Sequence, residues 1–513
     1  MKPRSSIKKI LTSILLVVVI ALTVISYKMI YEINKPLGKH IEVVDTSQFK
    51  SISGKFAIKN INVLSENSEV MIPHQSVLIK GNTIESIGDS IHIPKDYFVV
   101  DGTNKYLIPG LIDSHVHIKK SKNDLLLYLA NGITYVGEMT GMKEHFTYAK
   151  EIEKGSFLGP RMYIASPKVS SEKTFMTTLR SWFESRQQNF TSEKAIRKAV
   201  SDYKAKGYQA IKLSSGLYER DFYFALIDEA KKENIPVIGH LPPYIYMEDL
   251  YTSGQSQLSH IASITQSEIN EYGGLNYKNA EAFVKYFTAK ADSIAIKLKE
   301  NNITISSTLW IYENMDKQDF DLKNFLKTIE LEYMNPGWVE PSKFSGGWLP
   351  GTGNSYNIPD NNDSISMARS KIHWDAQTKV VQEMTKALSR HKVTILAGTD
   401  ANGANGCVPG FSLHDELESL NAVGLSTSQV LHSATLASAE WMKINTGKIK
   451  VGYDADLVIL NENPLENIQN TKAINTVIAN GKLFNRETLD RMLHEVKEAN
   501  NRGRNISIDE YLD

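Results

Sequence analysis

Lys plus Arg and Asp plus Glu balance at 58 each over 513 residues, which excludes the strongly basic field of a nucleic-acid binder, so no nucleic-acid partner is expected. With 42% apolar and 23% charged residues, the composition is that of a globular chain and excludes wholesale disorder. A single cysteine, Cys407, excludes an intrachain disulfide and a cysteine-rich zinc site, which leaves His, Asp, Glu or a modified Lys as metal ligands.

The chain opens with Lys2, Arg4, Lys8 and Lys9, followed by the uncharged run Ile10 to Tyr27, ILTSILLVVVIALTVISY. This run is long enough to cross a bilayer as a helix, and the basic flank stays in the cytoplasm. Residues 1–30 are therefore expected to form a cytoplasmic tip and membrane anchor with the body extracytoplasmic. The alternative is a cleaved signal peptide and a secreted body.

A linker over 31–51 leads to residues 52–106, which read as short alternating strands (KFAIKNINVL, QSVLIKGNTIESIG, FVVDGTNKYLI) with turn residues at the breaks. Residues 443–487 have the same character in GKIKVGYDADLVIL and AINTVIANGKLFN. A small β-sandwich built from both flanks is expected. The last stretch, 488–513, contains a helical pattern that either docks on the body or pairs with a second subunit, making a homo-oligomer a candidate assembly.

Between the flanks, residues 107–442 alternate apolar strands with amphipathic helices: YLIPGLID, ITYVGEM, RMYIAS, QAIKLS, IPVIGH, SQLSH, NITISSTL and KVTILAGTD. The fold class is α/β, and the pattern is that of a closed (β/α)8 TIM barrel, whose functional groups sit at the C-terminal strand ends. An insertion at about 312–372, rich in Gly, Pro and Asn at its centre, reads equally as a lid or as a surface elaboration.

The strand ends carry the chemistry. LIPGLIDSHVHI, residues 107 to 118, finishes on His115 and His117, two apart and therefore on one side of a strand. Lys212, His240, His260 and Asp400 close the fourth, fifth, sixth and eighth strands. Packing alone gives apolar strands no reason to end this way.

With these fragments in order, the chain resembles the metal-dependent amidohydrolase superfamily, in particular the branch of imidazolonepropionase-like proteins and Xaa-Pro dipeptidases. The resemblance spans about residues 52 to 490. It rests on LIPGLIDSHVH, AIKLSSG, IPVIGHLP, LSHIA, LAGTDANGANGCVPGFSLHDEL and GKIKVGYDADLVIL.

The resemblance implies that His115, His117 and Asp400 hold one metal and His240 and His260 a second, both expected as Zn2+. Lys212 would bridge them, which requires carboxylation by CO2, because an ammonium has no lone pair and repels cations. The other reading of Lys212 is an ion pair with Asp400 in a mononuclear site. Two positions depart from the branch: GEMTG follows the second strand where Arg-Asp is frequent, and Ser259 precedes His260 where Glu is frequent.

His414 is a candidate substrate contact, or else part of a Ser412 to Asp415 helix cap. Arg161 is a candidate grip for a substrate carboxylate, although a strand start faces the other barrel end. His373, His391 and His432 read as solvated, and Cys407 as structural.

The expected reaction is hydrolysis of an amide-type C–N bond in a dipeptide, acylated amino acid or similar small molecule, with Asp400 as the catalytic proton carrier. The alternatives are a mononuclear deaminase or cyclic-amide hydrolase, an ester or lactone hydrolase on the same scaffold, and a non-catalytic surface-anchored binding protein.

Overall fold

The computed structural model describes residues 4–172, 187–343, 345–354 and 364–512. Lys2 lies outside the described residues, as do 344 and 355–363 of the expected insertion.

The helix Arg4–Asn34 leaves its apolar residues from Ile10 to Tyr27 exposed. Its apolar window reaches a mean hydropathy of 2.6, enough by length and composition to cross a membrane, and a signal sequence has the same properties. The end of this helix is fastened to the body. Ile33 and Leu37 are buried, Lys120 Nζ donates to Asn34 Oδ1 at 2.8 Å, and Lys35 pairs with the buried Glu340 carboxylate at 3.1 Å. The expected linker 31–51 is bonded onward to the body, with Asn123 Nδ2 donating to Glu42 O at 2.8 Å and Val44 N to Asn123 Oδ1 at 3.0 Å.

Strands from both flanks join in one nine-stranded sheet. Leu457–Leu460 from the C-terminal flank pairs antiparallel with Tyr106–Pro109, which in turn pairs with Lys55–Leu64. The apolar stretch 107–118 is thus two strands, because Tyr106–Pro109 belongs to this sheet and Leu111–Val116 to the next. The break falls at Gly110, where a Cβ would come within 2.1 Å of Thr134 Oγ1. The domain boundary expected at 107 therefore cuts through a strand, and apolar alternation alone could not locate the turn.

The central region is α/β, with parallel ladders in two sheets. One runs Leu111–Val116, Ile133–Glu138, Arg161–Ile164; the other runs Gln187–Asn189, Lys168–Ser170, Ile211–Leu213, Val237–Gly239, Gln257–Ser259, Thr304–Ser306, Ile395–Leu396. They meet at two seams. Isolated bridges join Ala165 to Ala210 and Val116 to Ala401, and Ser114 N donates to Ala397 O at 2.9 Å. No continuous ladder closes the ring among the described residues. The strands at the seams are short, one interrupted at Pro167 and another leaving the extended region where Asp400 takes φ 56°. Lys168–Ser170 and Gln187–Asn189 were not among the predicted strands.

Most of the insertion folds on a core of its own. Leu322, Phe325, Leu326, Val339 and Trp348 pack with Val408 and with Ile508 and Tyr511 of the C-terminus. The C-terminal helix Arg486–Gly503 buries Leu489, Met492 and Val496 against the body, which satisfies its apolar face within the chain.

Arg161 points away from the strand ends, to ion pairs with Asp454 at 2.7 Å and with Asp456, whose side chain is 1% exposed. Arg161→Met leaves Asp456 buried without its cation and is expected to cost about 3 kcal/mol. A lower denaturant midpoint with unchanged KM for a carboxylate substrate is the expected readout; a raised KM with unchanged stability would return Arg161 to the site.

Candidate metal centre

Six predicted residues converge at the C-terminal ends of the parallel strands. His115, His117, Lys212 and His260 are buried and Asp400 half-buried. The His115 ring lies 4.7 Å from that of His260 and 5.3 Å from that of His117, and His240 and His260 are 5.0 Å apart, all between ring centroids. Ligand atoms of His115, His260 and Asp400 fall within 4.8 Å of one another.

Asp400 Oδ1 is 2.8 Å from His117 Nε2 and 3.5 Å from His115 Nε2. Neither contact is aligned as a hydrogen bond, so Asp400 Oδ1 and both His115 ring nitrogens are buried without a hydrogen-bond partner. A buried polar atom without a partner is costly. A divalent cation among these lone pairs would remove that cost, and a set of imidazoles plus a carboxylate would suit zinc or a similar ion. The donors present fit the metal.

The electrostatics agree. Burial, reinforced by Lys212 and the neighbouring histidines, pushes His115 well below the ordinary imidazole value. Burial also lowers His240 well below that value and takes His260 to about 4, so the rings are neutral and carry lone pairs. Burial would raise the Asp400 carboxyl, but His117, His260 and Lys168 outweigh it and hold Asp400 well below the carboxylate range. Two site residues, His260 at φ 67° and Asp400 at φ 56°, have left-handed backbones, the kind of local strain that persists where surroundings fix a functional geometry.

Lys212 Nζ donates to Ser259 Oγ at 2.8 Å. Among the described residues no ion pair joins Lys212 to Asp400. Ser259, the position that departs from the branch pattern, is thus the neutral partner of the lysine. Burial, with the charge of Lys168, lowers Lys212 to about 7. Lys168 was missed in the sequence. It lies across from Lys212 in the parallel register set by Val169 and Leu213, so both side chains take the same side of the sheet.

Supporting bonds orient the rings. His117 Nδ1 meets Thr140 Oγ1 at 2.7 Å, leaving Nε2 for the centre, and His260 Nδ1 meets Thr308 Oγ1 at 2.9 Å. Glu138 fixes Thr140 by accepting its N–H at 2.8 Å and also accepts Ile118 N at 2.6 Å. Glu138 and Thr140 lie in GEMTG, so that departure sits in the support of His117. Thr140→Val is expected to weaken metal affinity about 10- to 100-fold by releasing this ring. Competition with a metallochromic chelator measures it, and unchanged affinity would remove Thr140 from that role.

Beside the centre is a cavity of about 550 Å³ bordered by His240, His260 and Asp400 and walled by Leu241, Pro242, Ile245, Ile311 and Met315. Tyr312 and Met315, at the start of the insertion, also line it, so the insertion contributes to one wall. His414 is not brought to this cavity. It is buried on the helix Phe411–Ala422, its nitrogens bonded to Thr471 Oγ1 at 2.9 Å and Asn131 O at 3.1 Å. The expected Ser412 cap is absent too, the N-cap being Gly410. Cys407 is buried, and burial pushes its thiol well up, so it is no ready nucleophile.

Residues 106–484 match the model of the Amidohydrolase family. A 5'-deoxyadenosine deaminase of Methanosphaera stadtmanae is 24% identical over 463 residues, covering 83% of this chain and 92% of that enzyme. Among solved structures, a prolidase complexed with N-methylphosphonate-L-proline superposes with a TM-score of 0.61 at 19% identity, covering 84% of this chain and 100% of that one. A bottromycin amidohydrolase superposes with 0.63 at 18%, covering 87% and 90%. At these identities the structures establish the shared fold. With the family match covering most of its length, the chain belongs to the amidohydrolase family and is a hydrolase acting on carbon–nitrogen bonds.

Proposed function

We propose that the chain hydrolyses an amide or peptide-like bond at a two-ion centre. His115, His117 and Asp400 would hold one divalent ion, His240 and His260 the other, and carboxylated Lys212 would bridge them. The observation that carries this reading is the convergence of neutral buried imidazoles on a carboxylate whose inward oxygen, like both nitrogens of His115, lacks a hydrogen-bond partner. Zinc is the expected metal. Ions bound there supply Lewis acidity towards water and towards a substrate carbonyl.

The protein's own part is positional and protonic. Asp400, beside His117 Nε2, takes the proton of the attacking water and returns it to the leaving nitrogen. Thr140 and Thr308 hold two imidazoles in orientation. The apolar wall of the cavity excludes water around the reacting bond. In the same reading the two parallel sheets form one (β/α)8 barrel interrupted at its seams, with Arg161–Ile164 and Lys168–Ser170 as two parts of one strand and Gln187–Asn189 as an added edge strand outside the eight.

Dipeptides and acylated amino acids are the substrates to screen first, and the prolidase likeness supports that order. The deaminase relatives favour a second reading, a mononuclear deaminase. The N-terminal helix, by length and hydropathy, is read as an anchor that keeps the body outside the cytoplasm.

Elemental analysis of the full chain, purified with zinc and bicarbonate, tests the centre. About two metals per chain are expected. One would favour the deaminase reading, and none would overturn both.

A further inference from the structure

The partners of the anchor's end come from the loops on the barrel face that carries the metal centre. Lys120, which donates to Asn34 Oδ1 at 2.8 Å and through its backbone to Leu37 O at 2.9 Å, stands three residues after His117. Asn335, whose Nδ2 reaches Gly38 O at 3.2 Å, and Glu340, paired with Lys35, belong to the segment that follows the end of Thr304–Ser306. The joint is tight: a Cβ on Gly337 would come within 2.0 Å of Lys35 O.

The distances are short. From Tyr27, where the apolar run ends, to Asn34 a helix rises about 10 Å. From Lys120 back to His117 the chain spans at most about 10 Å. Adding the side-chain step between Asn34 and Lys120, the nearest histidine of the centre is within roughly 30 Å of the end of the apolar helix, less than the full thickness of a bilayer with its headgroups.

The same face bears exposed aromatic side chains. Tyr218 is 46% exposed on the loop after the strand of Lys212, and Tyr244 and Tyr246 are 57% and 43% exposed on the loop after His240. Ile365, Met367 and Ile372 are also exposed, near the start of Ser364–Arg390. Because that helix ends just before the strand Ile395–Leu396 begins, its start lies towards the mouth. Tyrosine and aliphatic side chains of this kind are favoured where protein meets the headgroup region.

We infer that the mouth of the barrel lies against the surface of the bilayer that holds the anchor, with Tyr218, Tyr244 and Tyr246 in the headgroup layer. This rests on the reading of the N-terminal helix as an uncleaved anchor. A substrate then reaches the centre along the membrane surface.

Because Cys407 is buried, single exposed cysteines can be labelled against a quiet background. Full chains carrying Lys39→Cys, Tyr218→Cys, Tyr244→Cys, Lys206→Cys or Asn301→Cys are labelled with a fluorophore. They are then reconstituted in vesicles of phosphatidylethanolamine and phosphatidylglycerol with a headgroup-linked quencher. Lys39 reports the anchor joint, whereas Lys206 and Asn301 lie beyond helix ends at the opposite barrel end. The expected result is quenching at Lys39, Tyr218 and Tyr244 several-fold stronger than at Lys206 and Asn301. Quenching at Lys39 with Tyr218 and Tyr244 no stronger than Lys206 and Asn301 overturns the inference and leaves the anchor standing. No quenching at any position, with failure to float with vesicles, overturns the anchor reading and the inference together.

Discussion

Asp400→Asn is expected to lower turnover by about 10²- to 10⁴-fold, the range for loss of a positioned acid–base group, while the fold and most of the bound metal are kept. Asparagine is nearly isosteric, keeps an oxygen to offer a cation, and tolerates the left-handed φ of 56° held at this position better than other uncharged residues. The bond from the residue 400 N–H to His115 O, 2.8 Å long, is a backbone interaction and survives. What the amide cannot do is accept a proton and release it again at neutral pH. The measurement is kcat on the best amide from a dipeptide and N-acyl amino acid screen, with metal content and thermal midpoint recorded for the same preparation. Turnover close to wild type, with metal bound, would remove Asp400 from proton transfer.

The centre was more legible than the fold around it. A candidate metal ligand needs a lone-pair side chain, and His115, His117, His240, His260 and Asp400 stand out because polar residues close otherwise apolar strands; the structure places them side by side. The residues that steer them did not stand out. Thr140, Thr308 and Glu138 are ordinary polar residues until a ring nitrogen lies beside them. Lys168 faces the side of Lys212 only because of a parallel register that no short sequence pattern encodes.

His414 misled because proximity in sequence to Asp400 is not proximity in space. A helical turn directs its ring to Thr471 and Asn131 instead. The break at Gly110 was hidden because both halves of YLIPGLID are buried and apolar, in two different sheets. The joint between Asn34 and Lys120 is a contact between distant segments, invisible to any reading of local composition.

Lys212→Met is expected to halve the metal content at least, and to do so without unfolding the chain. The side chain of Lys212 is fully buried, so a methionine of similar reach fills its volume and strands no charge. The neutral bond to Ser259 Oγ at 2.8 Å is lost, which costs about 1 kcal/mol. The larger effect is on the ions. With burial lowering the lysine to about 7, a substantial share of the amine is unprotonated at neutral pH. An unprotonated amine adds to CO2 with formation of an N–C bond and release of one proton, giving an anionic carbamate with two oxygens. Methionine can do none of this. Two cations separated only by neutral imidazoles and one carboxylate repel each other without such a bridge. Wild-type chain purified without bicarbonate should lose metal in the same way and regain it when bicarbonate and zinc return, whereas Lys212→Met should not respond. A variant that keeps two metals per chain would end the carbamate reading. One metal in both proteins, indifferent to bicarbonate, would move the assignment to the mononuclear deaminase.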